Sequence, residues 1–113
     1  MKLIDQPISL EDLKNMAVHS FGNLVKAVVD IEKEVMVVDA ELHSDEEAHL
    51  LEKGSKQKDL WGINLYPELT DKDFIEFDSV INLRPSYGNK TRSVDDQATR
   101  EKISNIVAKL IEK

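Results

Sequence analysis

The sequence predicts a single α+β domain spanning residues 1–113, with a mainly antiparallel four-stranded sheet, helices packed on it and the order αββαββα. Three observations carry that prediction. Helix-start residues precede three segments, at Ser9, Ser44 and Asp95–Asp96. Four segments between them have strand character: Val25–Ile31, Val35–Val38, Leu60–Tyr66 and Phe74–Arg84. No repeat, low-complexity tract or internal linker divides the chain.

Ser9 reads as an N-cap with Asp12 three residues on, and Leu10, Leu13, Met16, Ala17 and Phe21 form one stripe of a helix that Gly22 stops. In the first strand Val25, Ala27, Val29 and Ile31 share a face, with Lys26 and Asp30 opposite and Val28 between them. Glu32-Lys33 lacks the glycine or asparagine of a tight primed turn, so a four-residue loop is expected. Val35–Val38 is apolar on both faces and reads as a central strand. Ser44 to Glu47 reads as a capping box, and Lys53 and Gly54 close the second helix.

In the third strand Trp61, Ile63 and Leu65 face one way and Asn64 and Tyr66 the other. After a polar connection, Phe74–Arg84 reads as the longest strand. Ile75, Phe77, Ile81 and Leu83 then face the core, and Glu76, Asp78, Asn82 and Arg84 face away. A hairpin between these two strands gathers the polar sets on one sheet face. The two hairpins then join through the first and fourth strands or through the second and third. Asp95 or Asp96 caps the last helix, whose buried stripe is Ala98, Ile103, Ile106, Val107, Leu110 and Ile111.

Composition narrows the function classes. With 22 acidic against 15 basic residues and a net charge of -7, the surface as a whole repels nucleic-acid phosphates. The absence of cysteine excludes disulfides, thiolate catalysis and cysteine–zinc sites, and fits a reducing cytoplasm. No apolar run is long enough to span a membrane, and the first residues carry no apolar signal-peptide core. No motif calls for a cofactor.

One stretch departs from the charge pattern. From Ser79 to Val94 there is no carboxylate, while Arg84, Lys90 and Arg92 lie within it. Gly88-Asn89 permits a left-handed turn whose N–H groups form an anion nest, so Arg84, Asn89, Lys90 and Arg92 are candidate contacts for a phosphate or carboxylate ligand. The competing reading is a surface loop paired with neighbouring carboxylates. Asn64, Tyr66, Asp78, Asn82 and Arg84 line either a ligand groove or a solvated sheet face with Arg84–Asp78 and Arg84–Glu76 pairs.

His43 is a further candidate at the start of the second helix. Its spacing to His49 and the surrounding acids matches no metal motif, so no metal is assigned. The function expected is a binding or interaction module, taking a small anion or a second copy of the chain. The alternative is an enzyme with His43 or Asp78 as acid–base and Arg84 and Arg92 as anion holders. Trp61 reads as a core anchor.

The ordered blocks Glu41-Leu-His43-x-Asp45-Glu46-Glu47, Trp61-Gly-Ile-Asn64-Leu-Tyr66-Pro67, Glu76-Phe-Asp78-Ser, Ile81-Asn-Leu-Arg84-Pro85-Ser and Gly88-Asn89-x-x-Arg92 resemble a small prokaryotic family of unknown function. The resemblance covers nearly the whole chain. It implies a bacterial or archaeal cytosolic protein and brings no established active site.

Overall fold

Two hairpins and one added edge strand build the sheet. The computed structural model describes residues 1–113 and runs β1 (Lys2–Ile4), β2 (Ile8–Ser9), α1 (Leu10–Val18), β3 (Val25–Asp30), β4 (Val35–Val38), α2 (His43–Glu52), β5 (Leu60–Leu65), β6 (Ile75–Glu76), α3 (Gln97–Leu110) and β7 (Ile111–Glu112). The main sheet has the order β1-β4-β3-β5-β6 and is antiparallel throughout. β2 and β7 form a separate parallel pair. The α+β class and the order of the central elements are as expected, and β1 adds a fifth strand to the sheet.

The hairpins join through β3 and β5, the first and third expected strands, which corrects both expected junctions. The outer edge of β4 is occupied by β1, pairing Leu3 with Val37, so β4 is covered on both sides and the junction falls to β3. Strand alternation then divides the core. Val25, Ala27, Val29, Met36, Val38, Ile63 and Leu65 pack with α1 and α3 in a cluster of 17 buried residues. Val28, Val37 and Leu60 pack with Leu50 of α2 on the reverse face.

The helix starts obey local chemistry where a cap side chain is free to turn back. Ser9 Oγ accepts the N–H of Asp12 at 3.0 Å, and Asp96 accepts that of Thr99 at 2.9 Å. α1 ends at Val18, short of the expected stripe, and Phe21 stays 45% exposed with the Lys26 ammonium 5.2 Å from its ring centre. Ala98, expected in the buried stripe of α3, is exposed. α2 also departs from expectation: its N-cap is Leu42, without a side-chain cap, so Ser44–Glu47 is not a capping box. The first turn instead lays His43 and Glu46 against the sheet, with Leu50 one turn on.

The largest correction concerns Phe74–Arg84. Only Ile75–Glu76 is strand, and 3-10 turns follow at Val80–Asn82 and Pro85–Tyr87. Ser79 Oγ accepts the N–H of Ile81 and starts the first of these turns, which breaks the two-residue period. Ile81 therefore packs on the α2 side. Asn82 and Arg84, expected to face outward, are buried, and Leu83 is 46% exposed. No helix is long and apolar enough to cross a membrane.

Candidate functional site

The acid-free segment lies along the outer edge of β5 and completes it with side chains. The N–H of Ile31 bonds the C=O of Asp59 at 3.0 Å, which directs the backbone groups of Leu60, Gly62 and Asn64 away from β3. Glu76 of β6 pairs with Asn64. At Gly62 the carboxamide of Asn82 takes over, accepting the Gly62 N–H at 2.8 Å and donating to its C=O at 2.9 Å. At Leu60 the guanidinium of Arg84 donates to the carbonyl at 2.8 Å, and its other terminal nitrogen donates to Gln57 C=O. Glycine at position 62 permits this close approach, because a Cβ there would stand 2.6 Å from Cβ and Oγ of Ser79.

Arg84 stacks on Trp61, 4.3 Å from the ring centre, with Tyr87 at 5.9 Å. No carboxylate pairs with it, which corrects the expected pairs with Glu76 and Asp78. Asp78 instead accepts from Arg92 Nε at 2.9 Å, in a pair that is about half exposed. Burial lowers the pKa of Arg84, yet a guanidinium stays charged in a protein.

Beyond Arg84 the loop is held by its own groups. Gly88 turns it back at φ 86°, and Arg84 and Asn89 exchange backbone hydrogen bonds at 2.9 and 3.2 Å. The Asn89 carboxamide donates to Asn82, Thr91 and Ser93 carbonyls and accepts from Asp95 N–H. Asp95 accepts the Lys90 N–H at 2.8 Å and the Thr91 hydroxyl at 2.5 Å, and these bonds hold its carboxyl below the usual range, the hydroxyl contributing most. A carboxylate of the chain thus occupies the Lys90 donor of the expected anion nest. The ammonium of Lys90 has no partner within the chain.

The remaining candidates gather at the other end of β5. Asn64 Nδ2 and the Tyr66 hydroxyl both donate to Glu76 Oε1, at 2.8 and 3.0 Å. Nδ2 also reaches the Asp78 carbonyl at 3.3 Å, while Asn64 Oδ1 is buried without a partner. His43 Nε2 lies 2.8 Å from the Ile63 carbonyl and so carries the ring proton. Burial lowers its pKa most, and the Lys26 charge adds to that effect. His43 and Arg84 therefore hold carbonyls three residues apart on β5, ~10 Å along a strand. His43 and Arg84 are thus each tied to a different carbonyl of β5, while Asp78, the other acid–base candidate, pairs with the anion holder Arg92. No group of three histidine or acidic side chains is placed to hold a metal.

Sequence reasoning missed Glu46, which is fully buried. Its Oε2 accepts the Ala40 N–H at 3.1 Å, its Oε1 has no partner, and burial raises its pKa to about 9. The signal was present in the spacing of His43, Glu46 and Leu50, the inward face of α2. Two larger cavities, of 560 and 520 Å³, lie between β6 and α3, away from every candidate residue.

Residues 2–110 match the model of the family described as "Protein of unknown function (DUF5674)", and the chain belongs to that family. No curated protein and no solved structure matches the chain.

Proposed function

We propose that this member of the family is a small binding module whose contact surface is the outer side of the segment from Ser79 to Val94. One observation carries the reading. Val80, Leu83 and Tyr87 are 64%, 46% and 62% exposed within eight residues of a stretch that has no carboxylate. Lys90 and the half-exposed Arg92 lie beside them in sequence, on a chain whose net charge is -7. Hydrogen bonds from Asn82, Asn89 and Asp95 fix the loop from within, so little ordering cost is left for binding.

The partner that suits this surface pairs apolar side chains with carboxylates: the former cover Leu83 and Tyr87, the latter meet Lys90 and Arg92. Phosphate alone engages only the cationic part. A catalytic role has less support, since His43 and Arg84 are each engaged by a β5 carbonyl and Asp78 is engaged by Arg92. The test is a ¹H–¹⁵N titration with a peptide of mixed Glu and Leu residues and, separately, with inorganic phosphate. The reading expects peptide-induced shifts centred on Leu83, Tyr87, Lys90 and Arg92 that vanish in Tyr87→Ser. Shifts absent from this segment contradict it.

A further inference from the structure

The β5–β6 ladder leaves one residue of β6 facing outward. The N–H of Tyr66 bonds the C=O of Phe74 at 2.9 Å, and Asn64 pairs with Glu76. The hydrogen-bonded positions are therefore 74 and 76, and the N–H and C=O of Ile75 point away from β5. β6 is the last strand of the sheet, so nothing in the chain pairs that edge. Beside it run the two cavities between β6 and α3, which share Asp71, Ile75 and Ser104 as walls and so adjoin end to end as a channel along α3. One end of the channel is polar, with Lys72 and Arg100, and the other is more apolar, with Ala108, Val107 and Ile111 beside Phe74, whose ring centre lies 4.0 Å from the Lys113 ammonium.

We propose that this channel is a β-augmentation site, taking an extended peptide segment of a partner protein as a sixth strand beside β6. The occupant is specified by the backbone of Ile75, whose donor and acceptor on one residue match an extended main chain. A folded second copy fits poorly. β6 has two residues and is bounded by 3-10 turns at Asp71–Asp73 and Val80–Asn82, so a whole sheet finds almost no straight edge to match. A single strand needs no longer edge, because α3 supplies a wall for its side chains.

Alternate side chains of the added strand, ~7 Å apart, enter the channel on the same face. The more apolar end accepts an aliphatic or aromatic side chain against Ile75 and the exposed Ala108, over the buried Val107 and Ile111. At the polar end Arg100 has Nε on Val94 C=O and Nη2 on Ser93 Oγ, which leaves Nη1 free, and Lys72 has no partner. Asp71 and Glu101 line the same cavity, so this position takes a polar side chain of either charge. Selectivity then rests on the apolar position.

The test begins with selection of displayed random peptides of roughly ten residues against the folded full chain, followed by synthesis of the enriched sequences. The proposal expects them to share an apolar residue and to slow amide exchange at Ile75 by ~10-fold or more. It also expects ~10-fold weaker binding to Ala108→Trp, an exposed α3 position whose indole fills the apolar end. Melting curves of that variant separate a blocked channel from a lost fold. Failure to enrich any sequence overturns the proposal, as do peptides that leave Ile75 exchange unchanged or bind Ala108→Trp equally well. Concentration-dependent protection of the Ile75 amide without peptide overturns it in favour of a second copy at the edge.

Discussion

The carboxamide of Asn82 holds both backbone groups of Gly62, at 2.8 and 2.9 Å, as a neighbouring strand would. Its Nδ2 also donates to Arg92 C=O at 3.0 Å, which ties the acid-free loop to the sheet. Replacing Asn82 by Leu keeps the volume and strands a buried N–H and C=O without partners. Each such group costs ~1–3 kcal/mol. The expected loss in urea denaturation is therefore ~3 kcal/mol or more, whereas Leu83→Ala at the neighbouring exposed position changes stability by less than ~1 kcal/mol.

Gly62→Ala is expected to destabilise by ~1–3 kcal/mol through overpacking, because its Cβ meets Ser79 at 2.6 Å. Ser79→Gly removes the two nearest opposing atoms and leaves Ile81 Cγ1 at 3.1 Å. The double variant Gly62→Ala/Ser79→Gly should recover most of the Gly62→Ala loss, a coupling readable from the four melting curves of the cycle.

Arg84 and Arg92 carry the same charge and do different work. Arg84→Lys loses the planar fork that spans the Gln57 and Leu60 carbonyls and the stacking on Trp61, with an expected cost of ~1–3 kcal/mol. Trp61 is the sole tryptophan, so its emission should change with the substitution. Arg92→Ala breaks a half-exposed ion pair and should cost less than ~1 kcal/mol, with Trp61 emission unaltered.

Glu46 gives the pH dependence its sign. Burial raises its pKa from 4.5 to about 9, with the nearby Lys26 charge and the Ala40 N–H opposing and the Asp39 charge adding to the rise. Between those values the unfolded chain has lost a proton that the folded chain keeps, so this group lowers stability as pH rises through the window. His43 acts on the other limb. Its folded pKa lies below the ordinary 6.5, so stability falls as pH drops below that value and the unfolded chain takes up a proton. Glu46→Gln should match the parent near pH 4, below the unfolded value, and exceed its stability by ~1 kcal/mol or more near pH 8, measured as urea midpoints. Equal midpoints at both pH values contradict the assignment.

The elements with strong local signals were legible in the chain. Ser9 and Asp96 act as caps, β3 and β5 alternate as written, and Val35–Val38 is covered on both faces. The errors along Phe74–Arg84 share a cause: a polar side chain doing a backbone's task. A two-residue period across Phe74–Arg84 assigns Asn82 and Arg84 outward, and only the 3-10 turn at Val80–Asn82 reveals that they turn in to serve Gly62 and Leu60. Asn89, a candidate ligand contact by sequence, also clasps the loop from within, which no local pattern shows. Glu46 looked like one of the solvated acids that favour a first helical turn, and tertiary packing instead draws it under α2. β1 was unreadable because three residues carry too little pattern.

Amide exchange at Gly62 tests the central claim most directly, that side chains of the acid-free segment complete the edge of β5. The account predicts that the Gly62 amide exchanges as slowly as its neighbours inside β5, and that Asn82→Leu speeds it far more than it speeds the amides paired to β3. A Gly62 amide that exchanges at the rate of surface loops in the parent protein, or that is indifferent to Asn82→Leu, contradicts it.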